Sequence, residues 1–171
     1  TAPSWLCACA CRELDCDHQS EGATLPKIAL SAVPVRKGSG YPSPFDQPCA
    51  TRTRRRLGDA GGLTDFGVNL MTLPSGGWSS QRHWHSHEDE FVYVLSGRYD
   101  LWLDGKDSTA KAGDVVRMPK GLPHGIFNKS GETATSLFWV APTRSLKELF
   151  ERIHNLSDPA EVVRIAAEHE V

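Results

Sequence analysis

The 171-residue chain is 39% hydrophobic and 23% charged, which suits one globular domain with its own core and leaves too little chain for a second full domain. Its formal net charge of −2 and sequence pI of about 6.4 provide no global positive field for nucleic acid or an anionic membrane, so small-molecule chemistry is the favoured class of function. No apolar run approaches the roughly 18–20 residues of a membrane span, and the first residues lack the basic-then-apolar order of a secretory signal, so a cytoplasmic protein is expected.

Residues 1–25 show no sustained period and are mostly small or polar, and they read as a poorly ordered arm. Cys7, Cys9, Cys11, Cys16 and His18 crowd this stretch. Thiolates and imidazole at short spacing suit zinc, but this spacing matches no zinc module and no second cluster completes it, so free thiols on a leader are the plainer reading. Cys49 stands alone as a small packing residue. A barrel is predicted over 26–142, beginning with a strand over Lys27–Val33 and a loop over Gly38–Pro48, where Pro, Gly and Ser cluster.

Thr51–Leu57 carries Arg52, Arg54, Arg55 and Arg56, and in an extended strand the even-numbered three share a face. A nucleic-acid patch, a charge-protected sheet edge and pairing across a dimer are the readings, the edge being preferred in an acidic chain. Near-alternating apolar residues then predict strands over Asp65–Leu73, Phe91–Leu95, Tyr99–Leu103, Asp114–Met118, His124–Asn128 and Thr133–Val140, each bounded by Gly, Pro, Asp-Gly or Ser-Gly. Regular short strands with turn signals mean an all-β sandwich or barrel. After Pro142 the period changes. Leu146, Leu149, Phe150 and Ile153 follow a Ser145/Glu148 capping box, and Pro159 follows an Asp158 cap, so residues 143–171 are predicted to form two short α-helices packed on the outside of the barrel.

The chemistry is concentrated in two stretches. In the first, His83 and His85 are two apart, so in a strand both imidazoles point the same way, and Glu90 can fold back beyond a turn at Ser86–Asp89 to add an anionic oxygen. In the second, Gly113 and Asp114 turn into a strand, Pro119 and Gly121 force a bend, and His124 emerges from it toward the first three. Together His83, His85, Glu90 and His124 make a candidate metal site.

These stretches resemble the cupin superfamily. Gly77, His83, His85, Glu90 and Gly97 fall on its first motif, G-x5-H-x-H-x4-E-x6-G, and Gly113, Pro119, Gly121, His124 and Asn128 on its second, G-x5-P-x-G-x2-H-x3-N, with no departure in either. The chain is identified as a member, similar to single-domain type 2 cupins over about Leu63–Val140. The resemblance implies a double-stranded β-helix of jelly-roll type, one divalent metal ion held by His83, His85, Glu90 and His124, and a homodimer. The glycines and Pro119 are then structural, and Asn128 holds a loop by hydrogen bonds. Iron, manganese, nickel, copper and zinc all fit such ligands.

Around that site, Tyr93, Tyr99 and Arg117 are candidate substrate contacts, and Arg82, Arg117 and Lys120 are candidate cations for a phosphate. His87 reads as an exposed loop residue, an alternative ligand or a proton carrier, while Glu88 and Asp89 read as solvated turn residues. Trp78, Trp84, Trp102 and Trp139 are either core or the aromatic wall of a pocket. Three histidines and one glutamate leave one or two positions open on a five- or six-coordinate metal, a catalytic rather than a closed layout.

The first functional reading is an oxidoreductase, a metal-dependent dioxygenase of a small chelating substrate with Glu90 as catalytic base; Lys111–Pro142 looks similar to quercetin-dioxygenase-like cupins. The second is a redox-neutral isomerase, epimerase or lyase on a sugar or small acid, since Arg82–Gly97 looks like bacterial sugar-phosphate-isomerase-like cupins. The third is a cupin that binds a ligand without turning it over. No nucleic-acid or membrane partner is expected.

Overall fold

The computed structural model describes residues 27–143, 146–154 and 156–169, so the cysteine-rich arm and the Ser145 half of the capping box lie outside the described residues. Two antiparallel sheets form the body. The larger runs in the order β1 (Arg36–Lys37), β2 (Thr53–Arg56), β3 (Gly67–Leu73), β9 (Ala134–Ala141), β4 (Asp89–Ser96) and β7 (Val115–Met118). The smaller runs β6 (Lys106–Lys111), β5 (Arg98–Leu103) and β8 (His124–Phe127). This is the double-stranded β-helix expected. Leu73, Val92, Val94, Met118 and Ala134 from the large sheet bury against Tyr99, Leu101, Ala110 and Ile126 from the small one, so the core lies between the two.

Strand register decides which side chains face that core, because directly opposed residues share a face and neighbours along a strand alternate. One row across the large sheet joins Gly67, Val140, Glu90 and Met118. The next joins Arg56, Asn69, Phe138, Val92 and Val116, and a third joins Arg36, Arg54, Met71, Ser136 and Val94. These rows form the inner face, since Glu90, Val92, Val94, Met118 and Ser136 are all buried.

Two expectations are corrected. Lys27–Val33 is not a strand but an irregular segment with a 3-10 turn at Leu30–Ala32, laid against Arg55, whose guanidinium donates to the Leu30 carbonyl at 2.9 Å and to the Val33 carbonyl. The strand β6 was not predicted, because KDSTAK has almost no apolar content; pairing with β5 through the Asp104-Gly105 turn orders it. A short α1 (Leu57–Ala60) precedes β3.

The C-terminal helices α2 (Leu146–Ile153) and α3 (Pro159–Glu168) lie close to their expected spans, and the Asp158 carboxylate accepts the Ala160 N–H at 2.9 Å as the N-cap. Leu146, Leu149, Ile153 and Ile165 pack on Val140 and Phe138, which share the face of Glu90 and Val92, so the helices cover the Glu90 end of the sheet. The last turn of α2 also meets the loop before β2: a Cβ at Gly40 would sit 2.9 Å from His154 Nδ1. No helix among the described residues is long and apolar enough to cross a membrane.

Candidate metal centre

His83 and His85 belong to the segment between β3 and β4, and the backbone of His83 pairs with His124 at the start of β8, N–H to carbonyl in both directions at 3.1 and 2.8 Å. Glu90 enters from β4 in the opposite sheet. One ligand atom from each of the four residues lies within 4.8 Å of all the others. The distances are short: His83 Nε2 to His85 Nε2 is 3.1 Å, His85 Nε2 to Glu90 Oε2 3.1 Å, and His124 Nε2 to Glu90 Oε2 3.2 Å.

Metal bonds of about 2.1 Å at right angles set neighbouring donor atoms about 3.0 Å apart, so these spacings fit the edges of a coordination polyhedron. The ring orientations fit as well. His83 Nδ1 donates to the Gln81 carbonyl at 2.9 Å and His124 Nδ1 to the Leu122 carbonyl at 3.0 Å, which turns both Nε2 atoms toward the cluster. Behind His85, Nδ1 has no hydrogen-bond partner, but the Glu88 carboxylate stands 3.8 Å from it. Glu88 is buried, not the solvated turn residue its sequence position implied, and its carboxylate is the charged group behind the His85 ring. The residues present could therefore hold a divalent cation.

Electrostatics prepare the same atoms. Burial pushes His83 down to about 4 against the pull of Glu90, so its imidazole is neutral near pH 7. Burial would raise Glu90, but the hydrogen bonds from His124 and His85 outweigh it and hold the carboxyl at about 2. Burial opposes charge on His124 too, yet its hydrogen bond to Glu90 raises it overall.

These directions give a pH prediction for the metal-free protein. The unfolded chain protonates His83 near 6.5 while the folded chain resists until about 4, so between those values the unfolded state binds more protons. Stability should fall by roughly 3 kcal/mol as pH drops through that window. The raised His124 contributes fully below 6.5 and loses its effect only as pH rises past its folded value, so it does not mask the drop. Urea melts from pH 7 to 4 check this, and His83→Gln should flatten the curve over that window.

The residues expected to contact substrate are not brought to the cluster. Tyr99 is fully buried within the apolar core, where burial pushes its phenol up to about 12. Tyr93 and Arg117 lie on the outer face of β4 and β7, since each neighbours an inward residue; Arg117 pairs with Asp89 at 3.1 Å and Lys120 pairs with the same carboxylate at 3.2 Å. Arg82 stacks 4.4 Å over Trp102, which is paired with Gly125 on the outer side of the small sheet. Trp84 and His87 are exposed, Trp78 packs edge-on against Phe127, and Trp139 meets Phe91 on the outer face. The fully buried Asn128 ties its loop by donating to Leu73 and Glu132 carbonyls at 2.7 and 2.6 Å. Sequence reasoning missed the inward orientation of Arg54, whose row also holds Met71, Ser136 and Val94.

Residues 69–141 match the family model for the cupin domain. A solved structure described as a sugar phosphate isomerase from a cupin superfamily, from Silicibacter pomeroyi, superposes with a TM-score of 0.65 at 39% identity, covering 68% of this chain and 75% of that one. The chain belongs to the cupin superfamily.

Among curated relatives, this cupin is 29% identical over 147 residues to quercetin 2,3-dioxygenase of Bacillus subtilis, covering 85% of this chain and 41% of the relative. It is 33% identical over 81 residues to polyketide synthase CurC of Streptomyces cyaneus, covering 47% of this chain and 52% of the relative. The cupin thus spans about half the length of these two relatives.

Proposed function

We propose that this cupin holds one divalent metal ion through His83, His85, Glu90 and His124 and acts as a dioxygenase on a small chelating organic substrate. The observation that carries the reading is the convergence of four ligand atoms with the far side of two rings tied to backbone carbonyls. Such a ligand set, when loaded, supplies a Lewis-acidic and, with iron, manganese, nickel or copper, redox-capable centre with positions left open. The similarity to quercetin 2,3-dioxygenase over 85% of the chain supports the reaction class.

The protein's own part is positioning and proton control. Glu90 serves as the base that takes a substrate proton, a role supported by its Oε2 lying between the Nε2 atoms of His85 and His124. Neutral His83 adds no cation to that exchange. Glu88 stands behind the His85 ring, and α2 packs on Val140 beside Glu90.

The test is oxygen uptake by protein loaded separately with each metal, against catechols, flavonols and diketones. Substrate-dependent uptake that disappears in Glu90→Gln is expected; turnover of a sugar phosphate with no oxygen consumed would favour the redox-neutral isomerase. That second reading has its own support in the 39% identity to the Silicibacter pomeroyi protein and in an inward-facing arginine, Arg54, whose buried Nε has no acceptor among the described residues.

A homodimer belongs to the same proposal. Phe91, Tyr93, Leu95 and Val115 form an exposed apolar strip on the outer face of β4 and the edge strand β7, beside Asp89 with Arg117 and Lys120, so the strip carries both charge signs and can match a second copy of itself. Sedimentation should give a dimer, and Tyr93→Glu a monomer that keeps its metal.

A further inference from the structure

The four arginines of the Arg52–Arg56 stretch have different fates. Arg52 is buried and donates from Nε to the Gly38 carbonyl at 3.0 Å. Arg55, on the outer face, holds the Leu30 and Val33 carbonyls. Arg56 faces inward and pairs with Asp59 at 2.9 Å. Arg54 also faces inward, in the row of Met71, Ser136 and Val94, yet among the described residues it has no hydrogen bond or ion pair, and its Nε is buried with no acceptor.

An inward arginine without a counter-charge is costly. Desolvation comes first, and Arg52, Arg56 and Arg36 add three like charges around it; together they bring its pKa down to about 10, so it still carries its charge near neutral pH. A rigid fork of donors that stays charged with nothing to donate to is complementary to a planar or tetrahedral oxyanion. Met71, Ser136, Asn69 and Phe138 beside it are all neutral, and the acid of this face, Glu90, lies two rows away against His85 and His124.

Strand register places Arg54 on the inner face that also carries Glu90, in the Ser136–Val94 row, two rows from the Val140–Glu90 row. The loop before β2 also reaches the ligand segment, since Gln81 Nε2 donates to the Phe45 carbonyl at 2.6 Å and the Gln81 carbonyl accepts from His83 Nδ1 at 2.9 Å.

We infer that Arg54, with Arg56 on the same face, is the anchor for an oxyanion group of the substrate, a phosphate or a carboxylate, held on the inner face that carries Glu90. Its place as a substrate anchor rests on the proposed metal-dependent activity; its capacity to bind an anion does not. Of the cations singled out from sequence, Arg82, Arg117 and Lys120 are all engaged on outer surfaces, so the anchor comes from the strand read as a protected edge.

The test titrates the full chain, before and after chelator, with inorganic phosphate and separately with acetate at matched ionic strength, followed by calorimetry and thermal melts. At least one anion should bind the wild type and raise its Tm, with Arg54→Gln weakening it tenfold or more and surface Arg98→Gln leaving it unchanged. Preference for phosphate or for acetate separates the two sources. In anion-free buffer Arg54→Gln should melt at or above the wild-type temperature, because it removes a repelled charge, and should keep its metal. Wild-type-like anion binding by Arg54→Gln, binding of neither anion by the wild type, or a lowered anion-free Tm for Arg54→Gln would each overturn the anchor. His83→Ala separates this from the metal reading: retained metal there defeats the ligand assignment alone, while anion binding should persist in the metal-free variant.

Discussion

Replacing His124 by alanine should abolish stoichiometric metal binding, with affinity falling by more than about 100-fold, since loss of an outer-shell partner alone costs 10–100-fold. His124 is nearly inaccessible to solvent, its ring is fixed by the Leu122 carbonyl, and its Nε2 meets the carboxylate shared with His85. Elemental analysis of anaerobically purified protein measures the stoichiometry. A linked effect follows: metal at about 1,000 times its Kd adds about 4 kcal/mol to folding stability, and that increment should vanish in His124→Ala. His87→Ala is the control, because His87 is exposed in the turn and should leave metal content unchanged. Full metal retention by His124→Ala together with loss in His87→Ala would reassign the site.

The largest purely structural effect is expected at Gly97. It has φ of +72°, and a Cβ there would lie 2.6 Å from the Thr133 carbonyl oxygen and 2.7 Å from Ala134 Cα. Both are backbone atoms in the stretch leading into β9, which is paired on both sides, so neither can move without breaking the ladder. Gly97→Ala combines a left-handed penalty of about 1–2 kcal/mol with overpacking of about 1–3 kcal/mol, and should cost about 2–5 kcal/mol in urea unfolding. Gly113 gives the contrast. Its φ is +91°, but a Cβ would meet nothing within 4 Å, so Gly113→Ala should cost only the conformational part, about 1–2 kcal/mol. Equal costs at the two positions would show that the clash at Gly97 relaxes.

The two glycines show why motif spacing is readable and its energetics are not. Both occupy fixed steps of the family pattern, and both need a positive φ, which local turn geometry dictates. Only packing makes one of them also a point of close backbone approach. The same division runs through the fold. Strands with an apolar face, such as β3, β4 and β9, were legible because alternation reports burial. β6 was not, since its order comes from pairing with β5 rather than from its own side chains, and Lys27–Val33 carried an apolar pattern that Arg55 holds in an irregular form.

Glu88 and Asp89 make the point at the scale of a single turn. Adjacent in sequence and equally acidic, they were read alike; Glu88 is buried behind His85, whereas Asp89 faces Arg117 and Lys120 at the surface. No composition rule separates them, because the direction of each side chain is set by where β4 begins.

Residue type at short, fixed spacing was enough to read the four clustered residues that could hold a metal, the turns that present them and the family. Which aromatic and cationic side chains surround the cluster was decided by the tertiary structure alone. Tyr93 and Arg117 turned outward, Tyr99 entered the core and Arg54 faced inward, since both faces of these strands carry apolar residues and only the pairing register, with the helices laid over Phe138 and Val140, selects which face is the interior.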